Sequence, residues 1–427
     1  MKAAIITLGC KVNHYESEGI SKRLEQEGYE IVDSSEEADV YIINSCTVTA
    51  ESDRKTRQAV RKMKRLHPGS TVLLTGCMPQ AFPEDAKRLE QADIVTGNKF
   101  NSRIPELLEK HIKGQREFAV EEHRQGEQFA GDAVSSYRER TRATLKIEDG
   151  CNRFCSYCII PYARGRVRSK PLDEIEKEAD AFAENGYKEI VLVGINLSAY
   201  GTDNGSDMAQ AVKIAAKPEG IKRVRLGSLE PDHITDGIIE KLKEIPGFCP
   251  QFHISLQSGC DKTLKKMNRH YNTDEYRTLC KKLREVFADC TITTDLMTGF
   301  PGETQEDFEK SLDFVREIGF EKVHVFPYSK REGTPAAKMA EQVEKAEKER
   351  RAKRVIEEAE KIRQEFLKKQ KGKTVAVLPE EYSKGFCHGY TANYTPVTVN
   401  CPPEKCGEII NVKITGVEGD YCTGEII

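Results

Sequence analysis

The chain opens on a short apolar run, Ala3 to Thr7, and similar runs recur at Asp39 to Asn44, Thr71 to Thr75 and Asp93 to Thr96, separated by stretches of helical spacing. Short strands alternating with helices predict a small parallel α/β sheet over residues 1 to 100. From 101 to 138 the period disappears and polar residues take over, among them Gly126, Gln128, Gly131, Ser135 and Ser136, which reads as a linker. Alternation then resumes between 139 and 371. Runs at Ala143 to Ile147, Glu189 to Val193, Arg223 to Leu226, Gln251 to Ser255, Thr291 to Met297 and Lys322 to Pro327 predict the six strands of a partial (β/α)6 barrel. Residues 337 to 371 place Met339, Val355, Ile362 and Phe366 in a highly charged background, the pattern of a long amphipathic helix with a solvated face. Beyond Lys373 the runs are short and broken by Gly and Pro, predicting a small antiparallel β-barrel over 373 to 427. The fold class expected is therefore α/β, in three units.

Composition narrows the setting. A chain of 427 residues, 38% hydrophobic and 32% charged, suits a soluble protein of several domains. No apolar run approaches the roughly 18 residues of a membrane span, so no membrane partner is expected. The opening MKAAIITLGC lacks the long apolar stretch and small-residue cleavage site of a signal peptide, which predicts a cytoplasmic location. In that reducing compartment the 14 cysteines point to metal or redox chemistry, and disulfides are not expected. A net charge of −3 gives no global sign of nucleic-acid binding. Local basic clusters are candidates for phosphate contact: Arg54, Lys55, Arg57, Arg61, Lys62, Lys64 and Arg65 in one group, Arg164, Arg166, Arg168 and Lys170 in another. The first group is equally read as a solvated helix face. Tyr390 and Tyr394 are candidates for base stacking or for a core role.

Three cysteines, Cys10, Cys46 and Cys77, follow predicted strands directly, beside Gly9, Ser45 and Gly76. Loops after the C-terminal ends of parallel strands share one sheet edge, so the three thiols can meet there. Matching positions favour a shared metal site over three unrelated buried thiols. A second trio, Cys151, Cys155 and Cys158, lies in GCNRFCSYCIIPYARG just after the first barrel strand. With 14 cysteines in 427 residues, a CxxxCxxC array should arise by chance only about 0.015 times. Structural zinc wants four ligands, and no other Cys or His follows until His233. A [4Fe–4S] cube fits three thiolates better, leaving one iron open to a small molecule. Further strand ends offer polar groups suited to an ammonium or a ribose: Gly194 and Asn196 in VLVGIN, Ser228 and Glu230 in RLGSLEP, Gln257 in HISLQSG, and Asp295 in TITTDLMTGFPGET.

The CxxxCxxC loop resembles that of the radical S-adenosylmethionine superfamily, whose members chelate the open iron with the methionine moiety and cleave the sulfonium with one electron to a 5′-deoxyadenosyl radical. The resemblance implies S-adenosylmethionine as cofactor, with Gly194, Asn196, Ser228, Glu230, Gln257 and Asp295 as candidate contacts. Taken with an N-terminal three-cysteine unit and a small C-terminal β-barrel, it covers nearly the whole chain and is similar to the methylthiotransferase family. That likeness implies two [4Fe–4S] clusters, an auxiliary one on Cys10, Cys46 and Cys77 that carries the sulfur and a radical-forming one on Cys151, Cys155 and Cys158. It also implies that the last unit is an RNA-binding TRAM domain. The segments TLGCKVNHYES, CNRFCSYCIIPYARGRVRS, RLGSLEP and FPYSKREGTPAA are similar to the branch acting on N6-threonylcarbamoyladenosine at position 37 of tRNA. Related branches, acting on isopentenyladenosine or on an aspartate of a ribosomal protein, usually carry YGCQMN or LGCPKN at the first cysteine, and neither string is present.

The expectation is thus methylthiolation of adenine C2, a carbon with neither an acidic proton nor a leaving group, with tRNA, an electron donor such as flavodoxin or ferredoxin, and a sulfur source as partners. Simple radical methylation, and a two-cluster electron carrier with an RNA-binding tail, are the competing readings. Cys387, His388, Cys401 and Cys406 are an irregularly spaced candidate zinc set, and the remaining cysteines read as packed thiols.

Overall fold

The computed structural model describes residues 1–112, 117–137 and 141–427. Its first unit is an all-parallel sheet of β1 (Lys2–Thr7), β2 (Glu30–Val32), β3 (Val40–Ser45), β4 (Thr71–Gly76), β5 (Ile94–Thr96) and β6 (Glu117–Ala119), in the order β2-β1-β3-β4-β5-β6. The helices are α1 (Lys11–Gln26), α2 (Ala50–Leu66), α3 (Cys77–Ala81), α4 (Pro83–Lys87) and α5 (Ile104–Ile112). Alternate strand residues serve opposite faces. Val40, Ile42 and Leu73 pack with Ile20, Leu24 and Leu107 of α1 and α5. Tyr41, Ile43 and Leu74 pack with Val60, Met63, Met78 and Ala86 of α2, α3 and α4. Burial on both faces explains why β3 reads as a continuous apolar run.

Sequence patterning does not disclose β2 or β6, each only three residues long and too short to display a period. The stretch expected as a linker contains α5 and β6, and its polar remainder is bonded to both neighbours. Asp132 accepts from Tyr15 Oη at 3.1 Å, Ser135 from Lys22 Nζ at 2.8 Å, and Tyr137 N donates to Tyr187 Oη at 2.8 Å. The boundary expected at 138/139 lies outside the described residues.

The middle of the chain contains β7 (Ala143–Lys146), β8 (Glu148–Asp149), β9 (Arg168–Ser169), β10 (Glu189–Val193), β11 (Arg223–Leu226), β12 (Ser228–Leu229), β13 (Gln251–Ile254), β14 (Thr291–Thr298) and β15 (Lys322–Pro327). Strands β8 and β9 form a separate antiparallel pair. The others are parallel, in two sheets, β11-β10-β7 and β12-β13-β14-β15. Only Gly227 separates β11 from β12, so the six expected strands follow one another in chain order. Among the described residues β7 pairs only with β10 and β15 only with β14, which leaves the barrel open on one side. Around it lie α6 (Ile160–Arg164), α7 (Leu172–Glu184), α8 (Met208–Ala215), α9 (Asp236–Lys243), α10 (Asp261–Lys266), α11 (Thr273–Val286), α12 (Gln305–Ile318) and α13 (Lys345–Lys368). Phe182, Val212, Leu242, Leu283, Val315 and Val355 of the helices share one core with Leu145, Leu192, Leu226, Ile254 and Ile292 of the strands.

The last unit is a closed barrel of β16 (Thr374–Ser383), β17 (Phe386–Thr391), β18 (Pro396–Asn400), β19 (Ile410–Glu418) and β20 (Tyr421–Ile426), ordered β16-β17-β18-β20-β19. It is antiparallel as expected except at β18 and β20, which run parallel. Five strands cannot alternate direction all the way round a closed ring, so one parallel pair is unavoidable. The expectation of no disulfides is corrected here: Cys387 and Cys401 are joined, with Cα atoms 5.8 Å apart, in the core of this barrel. That bond removes two of the proposed zinc ligands, and Cys406 remains a free thiol.

Candidate functional site

Strands β1, β3 and β4 are adjacent and parallel, so the turns that leave them share one edge. Those turns carry Cys10 as N-cap of α1, Cys46 just after β3, and Cys77 at the start of α3. Backbone freedom is essential at two places. Gly76 has φ +97°, and a Cβ there would stand 2.5 Å from the backbone of Ser45; Gly9 has φ +126°, and its Cβ would meet the Cys46 Cβ at 2.8 Å. Asn13, one turn after Cys10, ties the edge together. It donates to Asn44 Oδ1 at 3.2 Å and to the Ser45 carbonyl at 3.1 Å, while its Oδ1 accepts from the Cys10 thiol at 3.2 Å. Cys46 and Cys77 are buried and Cys10 is exposed. Burial pushes the Cys77 thiol up to about 12 against the pull of Arg164, with Cys46 and Cys10 close enough to raise it further.

The second trio leaves β7 through Glu148, Asp149 and Gly150. A Cβ on Gly150 (φ +88°) would lie 1.9 Å from the Arg166 carbonyl, so the loop closes on itself only with glycine there. Cys151 N donates to the Gly165 carbonyl at 3.0 Å. A second clamp comes from the turn after α10. Asn268 donates to the carbonyls of Arg153 and Phe154, and Arg269 Nη1 donates to Cys155 Sγ at 3.3 Å. Burial raises Cys151 and Cys158 to about 12, the other cysteine thiols of the loop adding to the effect. Among the described residues no three His, Cys, Asp or Glu side chains converge closely enough for a single bare ion. The thiols of each trio nevertheless lie within electrostatic reach of one another.

The two trios are linked by Arg164, which ends α6. Fully buried, it donates from Nε to Cys77 Sγ at 3.1 Å, forks onto Glu16 of α1, and stands 3.5 Å from Asp149, two residues before Cys151. Helix α3, opened by Cys77, packs directly on α6. Lys146 joins the same group, 2.8 Å from Glu16 and 2.7 Å from Asp149. A second bridge runs from Arg331 of FPYSKREGTPAA to Asp53 at 2.6 Å and to Thr47, the neighbour of Cys46. This overturns one sequence expectation. Arg164, Arg168 and Lys170 are buried among carboxylates and cannot neutralise phosphates; in that cluster only Arg166 is exposed. In the other cluster Arg54, Lys55, Arg61, Lys62 and Arg65 are exposed along α2.

The six strand-end candidates divide between two places. Gly194 and Asn196 lie against Glu148: a Cβ on Gly194 would sit 2.5 Å from Glu148 Oε2, which accepts from Asn196 N at 2.7 Å. Glu230 pairs with Arg269, the residue that bonds Cys155. Gln257 (φ +64°) donates its N–H to the Asp295 carbonyl at 2.8 Å. Ser228 and Asp295 instead line a cavity of about 520 Å3 that runs from the barrel interior to the terminal barrel, where Tyr390, Tyr394 and Asp420 close it, and that Lys11, the residue after Cys10, also lines. Two buried acceptors near the cysteine loop, Glu148 Oε1 and Asn196 Oδ1, have no hydrogen-bond partner, and burial holds the Glu148 carboxyl well above the usual range. Glu148, three residues before Cys151, and Asn196, hydrogen-bonded to Glu148, thus present buried oxygens that fit the hydroxyls of a bound cofactor.

Sequence reasoning did not single out Glu148, Arg269, Arg331 or Asn13. Asn13 and Arg331 stand inside segments already marked by pattern, and Glu148 adjoins the cysteine array. Arg269 carries no local signal, because its role depends on a turn more than a hundred residues away. Tyr390 and Tyr394 stack on each other, centroids 4.3 Å apart, with Arg142 over both rings and Arg225 over Tyr394.

Comparison with known proteins accords with this geometry. Residues 145–315 match the Radical SAM superfamily, residues 2–97 the uncharacterized protein family UPF0004, and residues 368–427 the TRAM domain. The threonylcarbamoyladenosine tRNA methylthiotransferase MtaB of Bacillus subtilis is 37% identical, over 99% of this chain and 96% of that protein. Its counterpart from Thermotoga maritima is 39% identical over 91% and 89%. A tRNA-2-methylthio-N(6)-dimethylallyladenosine synthase from Caldicellulosiruptor saccharolyticus is 36% identical over 99% and 92%. Among solved structures, the radical S-adenosylmethionine methyltransferase TsrM from Kitasatospora setae superposes with a TM-score of 0.57 at 16% identity, over 79% of this chain and 74% of that one, a likeness of fold. With relatives of this similarity along its whole length, a cysteine-bearing parallel sheet, an open barrel and a closing β-barrel, the chain belongs to the radical S-adenosylmethionine tRNA methylthiotransferases, a family of transferases.

Proposed function

We propose that this protein methylthiolates C2 of N6-threonylcarbamoyladenosine beside the tRNA anticodon, using S-adenosylmethionine and two [4Fe–4S] clusters held by Cys10, Cys46 and Cys77 and by Cys151, Cys155 and Cys158. The observation that carries the reading is Arg164, which holds a thiol of one trio and the loop of the other in a single buried group. When bound, the clusters and S-adenosylmethionine supply a carbon radical and the sulfur to be transferred, chemistry that no side chain here provides.

The protein's own part is to bind, orient and insulate. Nitrogen donors aimed at sulfur, Arg164 to Cys77 and Arg269 to Cys155, offset the negative charge of thiolate ligands and set how readily a cluster accepts an electron. Glu148 and Asn196 offer acceptors beside the cysteine loop; Gly194, Glu230 and Gln257 shape its surroundings, and Ser228 and Asp295 line the interior. Burial of both bridges keeps water from the junction. The choice of a threonylcarbamoyl substrate is supported by the names of the B. subtilis and T. maritima relatives, whereas the C. saccharolyticus relative favours a dimethylallyl substrate.

Anaerobic reconstitution followed by nucleoside mass spectrometry tests the reading, with tRNA carrying or lacking the threonylcarbamoyl group. Methylthio product is expected only from the first. Product from isopentenyladenosine tRNA instead, or a methyl group gained without sulfur, would refute it.

A further inference from the structure

The barrel cavity has an inner face that nothing described so far uses. Strand β15 alternates exposed and half-buried residues: Lys322, His324 and Phe326 turn inward, while Val323 and Val325 pack on the core. Phe326, 52% exposed, is among the most accessible large apolar side chains of the described residues, yet it lies in a cavity lined also by Lys11, the neighbour of Cys10. An exposed ring so placed is a platform on which a flat base can stack. Successive residues on one face of a strand are about 6.6 Å apart, so His324 and then Lys322 follow at one and two such steps from the ring. A carbamoyl-linked amino acid on N6 carries its carboxylate four bonds from that nitrogen, about 5 Å when extended. That reach brings the carboxylate towards His324, which burial keeps a neutral hydrogen-bonding imidazole, and towards the ammonium that Lys322 carries on its flexible four-carbon stem.

In the lining Lys11, Lys322 and Arg363 outnumber the carboxylates of Asp295 and Asp420, once Glu321 and Arg225 are matched with partners outside it. Glu321 is engaged by the Ile292 N–H at 2.6 Å and by Arg284, and Asp295 lies 3.4 Å from His253 Nε2. Arg225 is neutralised by Glu189 at 2.8 Å. Arg363 donates to the backbone carbonyls of Glu321 and Asp420 and so brings an additional positive charge to the wall beside β15.

We infer that Phe326 and Lys322, backed by Arg363 and with the His324 imidazole as a hydrogen-bonding group between them, form a subsite that stacks the substrate adenine and binds the carboxylate of its N6 substituent, so that an anionic substituent is selected over an apolar one. The inference rests on the substrate reading above and names the residues that enforce it. The cofactor's methionine carboxylate shares the same chemistry and is separated by the test.

The test uses the reconstituted holoenzyme and synthetic anticodon stem–loops bearing either N6-threonylcarbamoyladenosine or the same nucleoside with its carboxylate as a methyl ester. Affinity is read by fluorescence anisotropy and product by mass spectrometry, for the wild type and for Lys322→Gln and His324→Gln. Both side chains are exposed, so these variants should fold. The wild type is expected to prefer the free acid by about tenfold or more, the range of a charge-assisted contact, and the ratio should fall towards one in the variants. A ratio unchanged in both variants overturns the subsite, as does a loss of S-adenosylmethionine affinity that leaves the ratio intact, which would assign these side chains to the cofactor. Absence of product from the free-acid loop with the wild type refutes the substrate reading itself, before any variant is consulted.

Discussion

Arg164 Nε donates to Cys77 Sγ across 3.1 Å although 87 positions separate the two in sequence. The same guanidinium forks onto Glu16 and faces Asp149, so one buried cation fixes the cysteine edge of the sheet against the cysteine loop of the barrel. Arg164→Met leaves Glu16 buried with Lys146, and Asp149 with Lys146 and Arg168, and should cost about 3 kcal/mol, measured by denaturant unfolding of the cluster-free protein. Arg164→Lys should recover part of that stability but not the bond to sulfur. In the reconstituted protein the auxiliary cluster should then titrate at a more negative potential by EPR; an unshifted potential would show that the bond has no electronic role.

The two trios should fail differently. Cys151→Ala is expected to abolish formation of 5′-deoxyadenosine, whereas Cys46→Ala should keep some cofactor cleavage and lose methylthio product. Liquid chromatography of the nucleosides reads both. Full product from the Cys46 variant would rule out a sulfur-carrying role for the sheet edge.

Gly76 offers a test through backbone alone. An alanine there places a methyl group 2.5 Å from the Ser45 backbone at φ +97°, so the turn carrying Cys77 cannot keep its path. Gly76→Ala should hold about four irons per chain after reconstitution instead of about eight, the count for two cubes. Retention of both clusters would show that the turn can relax.

Glu189, 1% exposed on its side chain, sits among Arg225, Arg223 and Arg142 where the terminal barrel meets the central one. Arg223 also donates to the carbonyls of Ala376 and Tyr390, Arg225 to those of Thr391 and Ala392, and Thr291 to that of Asn393. Glu189→Ala leaves Arg223 and Arg225 buried without their carboxylate, while Arg142 keeps Glu380 at 3.0 Å, and should cost about 3 kcal/mol. Faster proteolysis between α13 and β16 is the expected readout. Unchanged proteolysis would mean the two barrels are held together by other contacts.

A pH dependence is expected at Asp307. Burial works to raise this carboxyl, but Lys262 at 2.7 Å and the Thr304 N–H at 3.0 Å prevail and hold it at about 2, below its ordinary 3.8. A depressed carboxylate contributes stability above its unfolded pKa and loses it as pH falls through the folded value. The contribution here is about 1–2 kcal/mol. The stability gap between wild type and Asp307→Asn should therefore be constant near neutrality and close between about pH 4 and pH 2. A gap that persists at pH 2 would trace the effect to the helix cap alone.

By itself the sequence determined the strands that carry chemistry. The apolar runs at β1, β3, β4 and the six barrel strands are long enough to show burial, and the two cysteine trios follow β1, β3, β4 and β7 within a few residues, where local geometry places them. What the tertiary structure decided is charge. Arg164, Arg168 and Lys170 look like a phosphate-binding run until packing encloses them with Glu16, Asp149 and Glu178, and the polar stretch after α5 looks free until its side chains meet two neighbours. A charged residue reads the same in one dimension whether water or a carboxylate compensates it. Only the folded chain shows which partner it has, and so whether it meets RNA or joins two parts of one enzyme.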